Sequence, residues 1–518
     1  MSLTVESATS THNLASFVAN HHSNNRPAMY WADQSMTYRE LYASVAAARR
    51  VLQNHGAEPG KRVALSLPNV PFMPVYYYAI ISLGAICVPL NPLLSAHELK
   101  YQLEHSEAEI LVTWDGTRVA ESARALPESS GVAVEQLDAT YQLPVLDDYS
   151  WGPEPVTGAD PAVILYTSGT TSHPKGATLT HRNMMSNASE TASVFGYTGE
   201  DVIFGGLPLF HAFGQTVAMN AVFFAGASVA LLPRFTPKGA LNLMKETGVT
   251  NASAVPSMFA AIAAALEKMG EDAAQYRGTL RSTISGGAAL PEYIHEQFKN
   301  SLGVPIYEGY GLSETSPVVS FNRPETGTLI GSVGPAIPGV EVEVRDENRQ
   351  PVAQGETGEL WVRGENVMAG YWNNAEANAA VFDGAWFATG DIVRLDEKGN
   401  IFIVDRKKDM VLRNGYSIYP RDIEDIIYTH PRVHLCAVVG YPHPKVDEEV
   451  QVFITPTEDV TEEDEATVLS EVEELCREKL SSYKYPRGYE IIRQLPLGST
   501  GKILKTELRK MMVERTQR

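Results

Sequence analysis

Hydrophobic and polar positions follow two different periods along the chain, and the switch between them outlines its architecture. After Thr37-Tyr38-Arg39-Glu40, a capping-box pattern, Leu41, Val45, Ala48 and Leu52 recur at helical spacing along one face. This predicts an amphipathic helix. The runs Arg62-Val63-Ala64-Leu65-Ser66-Leu67, Glu109-Ile110-Leu111-Val112-Thr113 and Ala227-Ser228-Val229-Ala230-Leu231-Leu232 are short and apolar and lie between helical patterns. They predict strands of sheets covered by helices, hence an α/β body. From about residue 339 to 405 the texture becomes alternating, as in Val340-Glu341-Val342-Glu343-Val344 and Gly358-Glu359-Leu360-Trp361-Val362-Arg363, which predicts an antiparallel β subdomain. Beyond the polar stretch Arg406-Lys407-Lys408-Asp409 comes a self-contained alternation. It comprises a helix over 422–428, strands over 436–439 and 450–454, a helix over about 466–480 and a strand over 489–492. This is a small α+β domain of roughly 110 residues. With the boundary at Lys408, the chain divides into a body, 1–407, and a C-terminal domain, 408–518. The acidic run Glu462-Glu463-Asp464-Glu465 is expected to be the solvated first turn of the later helix, favoured by the helix dipole.

Composition narrows the class. The chain has 518 residues, 44% hydrophobic and 20% charged, enough for several cores rather than one. A formal net charge of -20 argues against general nucleic-acid binding, which depends on neutralising phosphates with Lys and Arg, so anionic ligands must be met locally. Cys87, Cys436 and Cys476 are too few and too scattered for a disulfide framework or a thiolate metal site. The N-terminal Met1-Ser2-Leu3-Thr4-Val5-Glu6 has neither a basic nor an apolar segment of a secretory signal, and the cytoplasm is the expected compartment. The most apolar stretch, 72–90, is interrupted by Pro74, Tyr76, Tyr77, Tyr78, Ser82, Gly84 and Pro89, whereas a bilayer span needs about 20 uninterrupted apolar residues. It is expected to be a buried helix followed by a buried strand, with no transmembrane segment; peripheral membrane contact and oligomeric state stay open.

The strand-like run Ala162-Val163-Ile164-Leu165-Tyr166 leads into Thr167-Ser168-Gly169-Thr170-Thr171-Ser172-His173-Pro174-Lys175-Gly176 and then a second strand-like run from Ala177. Backbone N–H groups and hydroxyls of such a loop can surround phosphate oxygens while one Lys adds a point charge. The same composition also suits a solvent-exposed loop. A Walker A loop is disfavoured, because here the Lys precedes its Gly and a strand follows.

This loop resembles the signature of the adenylate-forming superfamily of acyl-CoA synthetases, nonribosomal adenylation domains and beetle luciferases, with Ser172 where the family usually has Gly. Further motifs follow in order over nearly the whole chain: Leu207-Pro208-Leu209-Phe210-His211-Ala212-Phe213-Gly214, Ser285-Gly286-Gly287-Ala288-Ala289, Tyr307-Glu308-Gly309-Tyr310-Gly311-Leu312-Ser313-Glu314-Thr315, Phe387-Ala388-Thr389-Gly390-Asp391, Asp405-Arg406-Lys407-Lys408 and Leu495-Pro496-Leu497-Gly498-Ser499-Thr500-Gly501-Lys502. The resemblance implies ATP, Mg²⁺ and coenzyme A as cofactors. Nucleotide contacts would come from Thr167, Ser168, Gly169, Thr170, Thr171, Lys175, Gly287, Ala288, Glu308, Gly309, Tyr310, Gly311, Thr315, Asp391 and Arg406. Within these, Tyr310 would stack on adenine, Asp391 would accept from the ribose hydroxyls, and Glu314 with Thr170 would hold Mg²⁺. His211, Phe213, Gly214, Gly286, Gly287, Gly311, Leu312 and Val318 would line the acyl pocket. Lys502 would bridge the attacking carboxylate and the α-phosphate, which with Glu314, His211 and Thr170 makes up the catalytic set. A hinge at Lys408 would make the small domain mobile, bringing Asn414, Gly415 and Tyr416 to the site as lining for coenzyme A.

The implied reaction is activation of a carboxylic acid as acyl-AMP with release of pyrophosphate, followed by acyl transfer to coenzyme A with release of AMP. Amino-acid adenylation domains place an Asp near the motif matched at His211 to pair with the substrate amine; no carboxylate stands there in this sequence, and no downstream carrier domain is expected. A freestanding acyl-CoA synthetase is therefore favoured; residues 311–322 resemble the same stretch of bacterial medium- or long-chain fatty-acid enzymes, which implies a fatty acid, and Val318 and Val319 suit an alkyl or aryl group. The alternatives are an aryl- or other acid-CoA ligase, a ligase loading a carrier protein, or a degenerate nucleotide- or acyl-binding sensor.

Overall fold

The computed structural model describes residues 12–126, 130–167, 174–276, 278–414, 416–443, 445–498 and 503–516. By contacts the chain forms two compact units, one of residues 1–341 with 362–387 and another of 342–361 with 388–518.

The first unit contains two sheets. The eight-stranded sheet runs Val318–Phe321, Ile306–Gly311, Ser282–Ser285, Asn251–Ala254, Val202–Gly205, Ser228–Leu231, Pro27–Trp31, Gln34–Thr37. Its interior pairs are parallel and its outermost pairs antiparallel. The seven-stranded sheet runs Gly370–Tyr371, Lys175–Thr180, Pro161–Thr167, Ile86–Pro89, Arg62–Ser66, Ile110–Trp114, Ala133–Leu137. Parallel strands covered on both faces require uninterrupted apolar runs, which Val63-Ala64-Leu65 and Ile110-Leu111-Val112 supply, all nearly inaccessible to solvent.

The helix over Tyr38–Asn54 begins at the predicted capping box: Thr37 Oγ1 accepts from the Glu40 N–H while the Glu40 carboxylate accepts from the Thr37 N–H. Leu41, Val45, Ala48 and Leu52 are fully buried on its inner face. The apolar stretch resolves into the helix Phe72–Ser82 and the strand Ile86–Pro89, both buried. Its tyrosines are accommodated by partners: Tyr78 donates to Asn220 Oδ1 at 2.7 Å, and Asn220 Nδ2 donates to the Tyr77 hydroxyl at 3.3 Å. Among the described residues no helix is long and apolar enough to cross a membrane.

The alternating segment forms the strands Val340–Arg345, Gly358–Gly364, Phe382–Asp383, Trp386–Leu395 and Ile401–Arg406. In the second unit, residues 391–395 pair antiparallel with 401–406. Its main sheet is built on the antiparallel pair Val433–His443 and Asp447–Pro456, flanked by Val411–Arg413, Tyr416–Ile418 and Gly488–Ile491. Period-two alternation sends Val438, Val450 and Val452 to one core with the helices Pro420–Ile427 and Glu465–Lys479. Ala437, Val439 and Phe453 go to the other face with the helix Lys505–Thr516. That last helix has no counterpart among the elements predicted from the pattern. The acidic run also differs from expectation: only Glu465 lies in the first helical turn, while Asp464 precedes it and accepts from the Thr461 N–H and hydroxyl. Asp464 closes the turn just before the helix, which begins at Glu465, next to the expected 466.

Candidate active site

The phosphate-loop candidate is the connection of an antiparallel hairpin. Pro161–Thr167 and Lys175–Thr180 pair with Thr167 opposite Lys175 and Tyr166 opposite Gly176, so both ends of the loop are fixed by the sheet. Tyr101 donates to the Pro174 carbonyl at 3.0 Å, and Tyr166 donates to the Gln102 carbonyl at 3.3 Å. Ser168, Gly169, Thr170 and Thr171, with Ser172 and His173, lie outside the described residues.

Lys175 and Glu314 come together through a residue that the motifs did not include. The Lys175 ammonium sits 5.0 Å from the ring centroid of Tyr371, and the Tyr371 hydroxyl donates to Glu314 Oε1 at 2.9 Å. Tyr371 belongs to the edge strand paired with Lys175–Thr180. Its only sequence signal is an aromatic after Gly370, which does not distinguish it from a core residue.

The strand Ile306–Gly311 positions the rest of its motif. Glu308 is buried and accepts from the Leu290 N–H at 3.0 Å, while Tyr310 is half-buried. A Cβ at Gly311 would collide with the Pro317 carbonyl, so the chain can turn back beside this strand only if that position lacks a side chain. Thr315 is fully buried, and its hydroxyl donates to the Pro317 carbonyl at 2.5 Å and accepts from the Leu312 N–H at 3.0 Å. In this conformation it holds the turn that carries Glu314.

His211 caps the short helix Ala212–Gln215, with Nδ1 accepting from the Phe213 N–H at 3.3 Å. A neutral ring that accepts at Nδ1 carries its proton on Nε2. The Phe213 ring lies against Gly286, where a Cβ would stand 3.1 Å from the ring, so these two motifs meet. Gly287 and Ala288 are exposed beyond that contact, and Gly214 is buried. Leu312 is half-buried. Val318 is buried, and its N–H and C=O are both bonded by the Asn187 amide.

In the second unit Asp391 and Arg406 face each other across adjacent strands. Arg406 Nε lies 3.0 Å from Asp391 Oδ1, and the Asp391 side chain is almost inaccessible. Lys408 lies in the turn that follows Ile401–Arg406. Asn414 adopts a positive φ of 50° and donates its N–H to the Val446 carbonyl. Tyr416 is 57% exposed, with its ring 4.9 Å from that of Tyr483. Gly415 and Lys502 lie outside the described residues.

No group of three or more His, Cys, Asp or Glu among the described residues is arranged to hold a metal. A single carboxylate at Glu314, oriented by a hydroxyl, suits a hard cation that brings its remaining oxygen ligands with it, as Mg²⁺ on phosphates does.

Comparison with known proteins places the chain in a family. The model of the AMP-binding enzyme family matches residues 17–372, and that of the AMP-binding enzyme C-terminal domain matches 422–502. Over 525 residues the chain is 32% identical to a long-chain-fatty-acid–CoA ligase of Yersinia pestis, covering 94% of this chain and 91% of that one. Over 478 residues it is 33% identical to a feruloyl-CoA synthase of an Amycolatopsis species, covering 92% and 94%. The crystal structure of ATP-bound MatB from Rhodopseudomonas palustris matches with a TM-score of 0.88 at 30% identity, covering 97% of this chain and 99% of that one. The chain belongs to the AMP-binding enzyme family, in the class of AMP-forming acyl-CoA ligases. ATP and coenzyme A are the cosubstrates of that class.

Proposed function

We propose that this ligase activates a fatty acid, and that the residues of the resembling motifs perform it. The observation that carries the reading is the convergence on Tyr371 of the phosphate-loop lysine and the carboxylate of the Glu314 motif. Lys175 and the loop from Thr167, including Thr170, hold the β- and γ-phosphates, and Glu314 with Thr170 would hold Mg²⁺. When bound, Mg²⁺ supplies charge neutralisation on the leaving pyrophosphate. Tyr310 is assigned to adenine, and Asp391, fixed by Arg406, to the ribose hydroxyls.

The acid oxygen attacks the α-phosphorus as the bond to pyrophosphate breaks, and Lys502 stabilises the charge that develops there. No general base is needed, because a carboxylic acid is already ionised near neutral pH. The thiol of coenzyme A then attacks the acyl carbonyl, and AMP leaves. Lys408 is assigned as the pivot between these steps, and residues 414–416 as the lining for the thiol arm. His211, donating from Nε2, borders the reacting carboxyl group.

Apolar lining supports an alkyl acid. Phe213 and Val318 are buried, and no carboxylate occupies the turn from His211 to Gln215. One observation favours a second reading, a ring-hydroxylated aryl acid: both amide atoms of Gln215, next to Gly214, are buried without a hydrogen-bond partner among the described residues. Such a group gains from a polar substituent on a ligand. The test is acid-dependent pyrophosphate release over acids from acetate to stearate and over hydroxylated benzoates and cinnamates, with coenzyme A or a holo carrier protein as acceptor. Highest kcat/KM on long alkyl acids with coenzyme A is expected. Preference for hydroxylated aryl acids would replace the fatty-acid reading, and absence of acid-dependent release throughout the panel would refute the assignment of these residues.

A further inference from the structure

We propose that Tyr371 is a positioning residue for the metal–triphosphate complex, orienting Glu314 through its hydroxyl and Lys175 through its ring. This rests on the reading that Glu314 holds Mg²⁺. The segment around Tyr371 touches both partners through its backbone. Met368 N–H donates to the Glu314 carbonyl at 2.9 Å, Ala369 N–H to the Thr178 carbonyl at 2.9 Å, and Trp372 N–H to the Gly176 carbonyl at 2.7 Å. The turn bearing Glu314 and the strand that begins at Lys175 are thus fastened to one short piece of chain.

Tyr371 is itself held by a residue outside every motif. Asn378 Oδ1 accepts from the Tyr371 N–H at 2.6 Å, and Asn378 Nδ2 donates to the Tyr371 carbonyl at 3.1 Å. Asn378 rides on the helix Ala375–Val381, which Asn374 caps by accepting from the Ala377 N–H. A backbone fixed on both sides leaves little freedom to the ring, which is 8% exposed.

The chemistry explains why a tyrosine stands here. A phenol, whose ordinary pKa is about 10, is a neutral donor near neutral pH. A neutral donor fixes one carboxylate oxygen without cancelling the charge that a cation needs, whereas a lysine at this position would form an ion pair. The ring face meanwhile attracts the Lys175 ammonium. Lys175 and Glu314 are opposite charges that could neutralise each other, yet they make no ion pair; the aromatic ring gives each a separate partner.

The experiment compares Tyr371→Phe, Tyr371→Leu and Glu314→Gln by calorimetric binding of ATP with Mg²⁺, ATP with chelator and AMP, together with KM and kcat for pyrophosphate release and thermal unfolding. Tyr371→Phe keeps the ring and loses the hydroxyl. It should weaken ATP binding with Mg²⁺ by about tenfold, the worth of one hydrogen bond to a charged group, and leave metal-free ATP and AMP unchanged. Tyr371→Leu should also weaken metal-free ATP, because Lys175 loses its platform. Glu314→Gln should abolish the Mg²⁺-dependent gain. If that gain survives in Glu314→Gln, the metal assignment falls and the proposal with it. If Glu314→Gln loses it but Tyr371→Phe binds all three like the wild type, only the role of Tyr371 is refuted. Equal weakening of all three ligands in Tyr371→Phe, with a lowered unfolding midpoint, would mark a merely structural residue and overturn the proposal as well.

Discussion

The charged cluster of the first unit and that of the second are built in opposite ways. Lys175 and Glu314 carry opposite charges without pairing, each held by Tyr371. In the second unit the charges satisfy one another: Lys505 Nζ lies 2.7 Å from Glu424 Oε1, and Arg509 bonds Asp409 at 2.5 Å. Asp405 there accepts from the backbone N–H groups of Arg406 and Arg421, at 2.6 and 2.9 Å. Burial alone would lower the Lys505 ammonium, but Glu424 and Asp405 beside it raise its pKa instead. The first arrangement leaves both charges available to a ligand, whereas the second, which ties the helix Lys505–Thr516 to its own unit, neutralises them internally.

The comparison breaks most sharply at Lys505. Replacing it by Met leaves Glu424 and Asp405 without their cation and is expected to lower the unfolding free energy by about 3–5 kcal/mol, read by urea denaturation. The double variant Glu424→Gln, Lys505→Met should lose less, because fewer uncompensated charges remain. An unchanged single variant would show that the cluster is not structural.

A ligand-directed charge should behave in the opposite way, with activity falling and stability holding. Lys502→Ala is expected to slow adenylation by about 10²–10³-fold while acyl transfer from supplied acyl-adenylate to coenzyme A persists. Lys408→Pro should reverse that pattern by locking the pivot. Equal loss of both half-reactions in Lys502→Ala would contradict its role.

The pH dependence sharpens the contrast further. Burial raises the Asp405 carboxyl to about 6 from its ordinary 3.8. The folded protein therefore holds a proton that the unfolded chain has released, and the stability contributed by Asp405 is lost as pH rises from about 4 through 6. Asp405→Asn should flatten that segment of the stability profile, an effect of no more than about 3 kcal/mol. The smallest effect belongs to a purely local feature: Thr37→Ala, which removes the capping box far from either cluster, should cost about 1 kcal/mol by thermal unfolding.

Local rules made several elements legible from sequence. The capping box and spacing of Tyr38–Asn54, the strands flanking the phosphate loop and the long pair at 433–456 follow from periods of 3.6 and 2 and from backbone hydrogen-bonding needs, which act within a few residues. The helix Lys505–Thr516 escaped because its polar faces dilute the period, and its burial becomes visible only once Val439 and Phe453 are placed against Leu508 and Met512. Resemblance to family motifs marked Glu314, Asp391 and Arg406 as candidates, and the Gly/Ser/Thr loop beside it marked Lys175. Tyr371 and Asn378 lie in no such motif. Their positions depend on an edge strand joining Lys175–Thr180 and on a turn meeting Met368, contacts between segments up to roughly 200 residues apart that only tertiary packing decides. The sequence by itself marked candidates for meeting phosphate, and the tertiary structure decided which neutral side chain stands between two of their charges.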